Sequence, residues 1–131
     1  VYKRQVNVTD PDGNPVAVHF EIATPATIDV LVAMPGVDSS FDTAIADAIV
    51  TYIGGGLSTG DVAQGLGVGS TIVIAGVEAA AYDATKVNGK STATATTASI
   101  AISPGALASA NITLPWNQYP LTDAVNITIT H

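Results

Sequence analysis

The chain has 131 residues, 47% of them apolar and only 11% charged, which suffices for one domain with a real core and is too little for two. Its four Lys and Arg stand against eleven acids, a net charge of −7 that repels phosphate backbones and anionic lipid and so disfavours nucleic-acid and membrane binding. With no cysteine there is neither a disulfide framework nor a thiolate metal site, so packing must hold the fold.

No run of about 18 apolar residues occurs, and Val1 opens on a polar, basic stretch rather than a leader. The low charge of an Ala/Thr-rich surface leaves two readings open: a surface that expects a partner, or one polar enough to stay soluble alone.

In chain order, Val6 to Thr9 alternates apolar and polar residues and predicts a strand. The dense turn chemistry of Asp10-Pro-Asp-Gly-Asn-Pro follows. From there Val16, Val18, Phe20 and Ile22 point one way and Ala17, His19, Glu21 and Ala23 the other, the period of a half-buried strand. After Thr24-Pro25 the same period resumes at Ile28, Val30, Val32 and Met34, with Thr27, Asp29 and Leu31 opposite, so these segments together predict a long β-hairpin.

Pro35-Gly36 ends the second strand, and Ser39-Ser40 offer capping hydroxyls to a helix. Phe41, Ile45, Ala48, Ile49, Tyr52 and Ile53 make one apolar stripe at helical spacing, which Gly54-Gly55-Gly56 terminates. The stretch 57–69 is glycine-rich and predicts turns. Ser70 then caps a second predicted helix to about Ala81, although the β-branched Thr71-Ile72-Val73-Ile74 suits a buried strand equally well.

Val87-Asn-Gly-Lys90 predicts a turn, and 91–98 a loop or exposed strand. Three short strands are predicted around Ile100–Ile102, Ile112–Leu114 and Val125–Ile129, with loops between them, including Pro115 to Asp123. The fold class expected is α+β: a long β-hairpin, two helices and a β-rich C-terminal part.

Chemistry-bearing constellations are sparse. His19 and His131 are the two histidines, and no metal-ligand spacing links them; His19 reads as an ordinary strand residue, and His131 as a terminal residue that a purification tag would also supply. Asp10, Asp12 and Asn14 imitate the opening of a calcium loop, with Glu21 at the twelfth position, but Glu21 falls inside a strand and cannot curl back. The phosphate-cradling alternative for the glycines fails, because no GxxxxGK[ST] occurs and no cation lies between Arg4 and Lys86. Gly65-Leu-Gly-Val-Gly69 follows no clear βα unit, and no acid stands at the ribose position.

No GxSxG motif occurs, and Asp29, Asp42, Asp47, Asp61, Glu78, Asp83 and Asp123 show no paired spacing, so no catalytic, cofactor-binding or metal residues are assigned and no enzyme is expected. The sequons at Asn7, Asn111 and Asn126 matter only in a secretory setting. Trp116 and Tyr119, with Asn117 and Gln118, lie between Pro115 and Pro120; amphipathic aromatics on a stiff loop are candidate interface residues, with packing over the chain's own core the alternative.

The succession Asp10-Pro-Asp-Gly-Asn-Pro-Val-Ala-Val-His-Phe, a helix ending in Ala48-Ile-Val-Thr-Tyr-Ile, a Gly-rich connection, a second helix, then Ser99-Ile-Ala-Ile-Ser and Asn111-Ile-Thr-Leu-Pro, resembles the C-terminal portion of the baseplate J-like family. These are wedge proteins of contractile phage tails and related injection machines. The resemblance covers nearly the whole chain, rests on apolar and turn patterns, and lacks the acidic, Arg-containing segment of the family's middle region.

It implies one domain over residues 1–131, a fragment or shortened relative of a longer wedge protein. It also implies a scaffold in the virion's tail baseplate, packed on neighbouring wedge and hub proteins through the 115–120 loop and the exposed face of the first helix. The alternative expectation is a secreted or cell-surface adhesin-like module, for which the β-rich ends, the Asp-Pro-Asp-Gly turn and the Thr-rich composition speak.

Overall fold

A computed structural model describes the chain from Tyr2 to His131, apart from the side chains of residues 2–5 and 18–20. The expected face of Val18 and Phe20 and the environment of His19 therefore lie outside the described residues. The elements run β1 (Tyr2–Thr9), β2 (Pro15–Ile22), β3 (Thr24–Ala33), α1 (Asp42–Ile53), β4 (Gly55–Gly56), β5 (Val62–Ala63), β6 (Thr71–Ile72), α2 (Ile74–Ala84), β7 (Thr97–Ile102), β8 (Ile112–Thr113), β9 (Gln118–Asp123) and β10 (Ile127–Thr130). This is an α+β fold.

The central strand is β3. Its alternate residues Ala26, Ile28, Val30 and Val32 are buried and those between are not, as the period-two pattern predicts. Along one stretch it pairs antiparallel with β7, and it also pairs in parallel first with β9 and then with β10. The register advances three residues between the Thr27–Leu121 and Val30–Ile127 pairs, which a short 3-10 turn at Ala124–Asn126 absorbs. The sheet continues from β9 to β4 and β5.

Both helices bring apolar side chains to the buried face of β3. Ile45, Ala46, Ile49, Val50 and Ile53 of α1 and Val77 and Ala81 of α2 join Ile28, Val30, Val32, Met34, Ala98, Ile100 and Ile127 in one cluster. At roughly 1.5–3 kcal/mol per buried aliphatic side chain, this layer is the chief source of stability in a chain without disulfides. Tyr52 crosses from α1 onto Gly76 of α2, where a side chain larger than hydrogen would strike its ring.

Helix starts differ from expectation. Ser39 and Ser40 do not cap α1: they lie in a 3-10 turn, Ser39–Phe41, that leads into it and is itself capped by Asp38, whose Oδ1 accepts from the Ser40 amide at 2.9 Å, while Phe41, at the N-cap position of α1, makes no side-chain cap bond. Ser70 does not cap the second helix either, since its hydroxyl donates to the Gly67 carbonyl. The ambiguous 71–74 stretch divides, with Thr71–Ile72 in a strand and the helix beginning at Ile74. Its first amides are satisfied from afar: Val73 N donates to Tyr52 Oη at 3.1 Å and Ile74 N to Asn111 Oδ1 at 2.9 Å.

The long hairpin is present, but its strands are β1 and β2, paired antiparallel from Tyr2–Ile22 to Thr9–Pro15. β3 does not pair with β2, because after Ala23 the chain enters the larger sheet. The segment 115–123 is not a continuous loop: only Pro115–Asn117 turn, and Gln118 to Asp123 form β9, with Pro120 buried inside it. Val125, expected in a strand, sits on the exposed 3-10 turn.

The glycine run ends α1 as expected, with Gly54 at φ 118° and its amide on the Val50 carbonyl. Beyond it the segment is bonded in place. Leu66 N donates to Ile53 O at 3.0 Å, and the Asp47 carboxylate accepts from both the amide and the hydroxyl of Ser58.

Gly55, at φ 137°, lies so close to β9 that a Cβ would overlap the Thr122 carbonyl oxygen, whereas Gly60, at φ 91°, faces open space. Gly55→Ala is expected to cost about 3 kcal/mol, from overlap plus backbone strain, and Gly60→Ala about 1 kcal/mol from strain alone. Urea unfolding of the two variants checks this; equal losses would mean that β4 is not held against β9.

Candidate functional site

Tight turn chemistry builds the β1–β2 hairpin. Asp10 Oδ1 accepts from the amides of Asp12 at 3.0 Å and Asn14 at 2.7 Å, while Gly13 takes φ 84°. The carboxylate that a calcium loop would present is thus turned onto its own backbone, and Glu21 stands on β2 opposite Lys3 of β1, not beside Asp10. Among the described residues no three His, Asp or Glu side chains gather where a metal ion could be held.

Among the described residues the hairpin packs on no other element to a substantial extent. Register puts Val6, Val8, Val16 and Ile22 on one face, and these are 46%, 46%, 42% and 38% exposed. A period-two pattern ordinarily marks a half-buried strand; here the four described apolar side chains of that face stay exposed. An isolated two-stranded hairpin is marginal in water.

The sequence-assigned interface residues adjoin the root of this arm. Gln118 N donates to Pro115 O at 3.0 Å, closing the turn, and Thr24 N donates to Asn117 O at 3.0 Å, so the turn is fastened two residues beyond Ile22. Trp116 stands 70% exposed on it. Tyr119 and Gln118 are half-buried members of β9, and Asn117 is half-buried too. The four therefore do not form one exposed patch: Trp116 is presented, and the others hold it in place. Sequence analysis missed the exposure of Val6, Val8, Val16 and Ile22, for which the only signal was the absence of a third strand able to cover them.

Two of the concavities among the described residues lie in the body. One, of about 410 Å3, is lined by Ala75, Ala79, Tyr82, Ala93 and Thr94 with Glu78, whose Oε1 accepts from the Ala98 amide. The polar groups of this lining are that carboxylate, tied to backbone, and the hydroxyls of Tyr82, Thr94 and Thr96. The other, of about 230 Å3, lies between the first turns of α1 and the strand β10, lined by Asp42, Thr43, Ala46, Ala124, Ile127 and Ile129. At its mouth His131 Nε2 stands 2.9 Å from Asp42 Oδ1. His131 is thus engaged by the fold rather than trailing from it.

No model of a known protein family matches this chain. Comparison with curated proteins gives no match either.

Hydrogen bonds from the Ser40 amide and hydroxyl hold Asp38 below its ordinary carboxylate value, assisted by nearby His131. Because the folded pKa is depressed, the stabilisation is complete above the ordinary value and disappears as pH falls through the folded one. Asp38→Ala is expected to melt lower than the parent at pH 7, with the gap closing near pH 2; thermal melts across that range check it, and a gap unchanged at pH 2 would show that the cap does not depend on the charge.

Proposed function

We propose that this chain is a structural assembly domain of the contractile-tail baseplate, working by binding neighbouring wedge and hub proteins and not by catalysis. The observation that carries the assembly reading is the β1–β2 arm, a hairpin whose Val6, Val8, Val16 and Ile22 stand exposed, with the exposed Trp116 on a turn fastened near its root. Burying four aliphatic side chains and an indole against a partner is worth several kcal/mol at about 25 cal/mol per Å2, the scale on which protein interfaces are built. The resemblance to the baseplate J-like pattern over nearly the whole chain is what supports the baseplate as the assembly and the virion as the place of action.

An adhesin-like β-sandwich is the weaker reading. Two helices packed on one face of a mixed sheet are foreign to an Ig-like pair of antiparallel sheets.

The test is a survey of the genes around this one, followed by co-expression with the tail-tube, sheath and wedge proteins that the reading places there. Trp116→Ala, and separately Val8→Asp with Val16→Asp, should each reduce co-purification by about tenfold or more while leaving the melting temperature of the body within a few degrees of the parent. Undiminished co-purification by both variants would remove the arm and the indole from the interface; a source genome without tail genes near this one would remove the baseplate.

A further inference from the structure

Val87-Asn-Gly-Lys90 holds the chain's one Asn-Gly step, and all four residues stand exposed between α2 and β7. The turn is closed by Val87 N donating to Lys90 O at 2.8 Å and Lys90 N to Val87 O at 3.1 Å, an isolated bridge outside the strands. Asn88 takes φ 51° and Gly89 φ 77°, the left-handed pair that a two-residue turn of this kind demands. Among the described residues the Asn88 carboxamide makes no hydrogen bond and the Gly89 amide donates none. The place where a Gly89 side chain would stand is open space.

We infer that Asn88 is a site of spontaneous covalent modification, deamidating through a cyclic imide. The Gly89 nitrogen attacks the carbonyl carbon of the Asn88 side chain, and the new C–N bond closes a five-membered ring. The Gly89 N–H proton passes through solvent to the side-chain nitrogen, which leaves as ammonia. Water then opens the ring at either carbonyl, giving aspartate or, with the backbone rerouted through the side chain, isoaspartate. Water is the sole co-reactant.

Elsewhere the same reaction is blocked. Asp12-Gly13 would form the same ring, but the Gly13 amide already donates to Asp10 O at 3.0 Å. Asn14 precedes Pro15, whose nitrogen has no proton to lose. Asn117 precedes Gln118, whose amide is held by Pro115 O. Asn7, Asn111 and Asn126 precede Val8, Ile112 and Ile127, whose branched side chains crowd the attacking nitrogen, and the last two carboxamides are engaged with Ile74 N and Asp123. At Asn88 only the two Val87–Lys90 bonds restrain the rotation that attack needs, and a bridge of that size on an exposed turn opens at little cost. Isoaspartate adds a backbone atom to a two-residue turn and leaves a carboxylate between Lys86 and Lys90, so the change is one-way and accumulates with the age of the molecule.

Ageing the full chain at 37 °C and pH 8, with peptide mapping by mass spectrometry, tests this. The peptide holding Asn88 is expected to gain one mass unit before any other asparagine peptide does, and to become a substrate for an isoaspartyl methyltransferase. In guanidinium chloride at the same pH it should react no more than about tenfold faster, because the native turn opens readily. Asn88→Gln, whose ring would need six members, should lose the mass gain. Another asparagine reacting first, or protection of Asn88 in the native chain well beyond tenfold, overturns the inference.

Discussion

The structure depends on β3 being satisfied on both edges and on one face at once. Its backbone is taken up by β7 on one side and by the β9–β10 run on the other, and Ile28, Val30 and Val32 are sealed by the two helices. A strand in that position must be apolar at every second residue and must tolerate no slip, because a shift of one residue would turn Asp29 and Thr27 into the core. The short elements follow from this. The glycine pair of β4 would not be a strand alone; it exists because the longer β9 fixes its backbone, while the two-residue β6 and β8 hold each other.

The glycine-rich connection shows how a flexible composition yields a fixed path. Gly55 approaches β9 more closely than any side chain would permit, and Gly65 lies equally tight against the end of α1. Carbonyls left over at the helix end, such as Ile53 O, are taken by amides of this same segment. Glycine content here reports close backbone packing, not the freedom that composition suggests or the phosphate cradle that spacing loosely imitates.

Much of this was legible in the residues, and the failures share a cause. The alternation of β3, the stripe of α1, its glycine stop and the Asp10–Asn14 turn are local patterns, read within one element. What escaped were matters of partnership. The strand before Pro25 was matched to the one after it because their periods agree, yet periodicity says nothing about which edge a strand seeks. β9 was hidden because prolines at 115 and 120 argue for a loop, while Pro120 sits among parallel neighbours at a place where its missing amide is tolerated. The true caps of α2, Tyr52 and Asn111, stand 21 and 37 residues from the amides they satisfy, beyond any capping motif. The candidate interface was only half legible: Trp116 announces itself by type, but the valines of the arm look like core until the fold leaves Val6, Val8 and Val16 exposed.

One residue, Ala23, separates the arm from β3, so a pull on the arm becomes tension along the central strand. There it meets ladder bonds to β7, β9 and β10 that lie across the direction of force, so those bonds are loaded together in shear instead of being peeled open one by one. A domain wired in this way passes a mechanical load on the arm into its most deeply buried element and gives way late, the strand acting as a tendon.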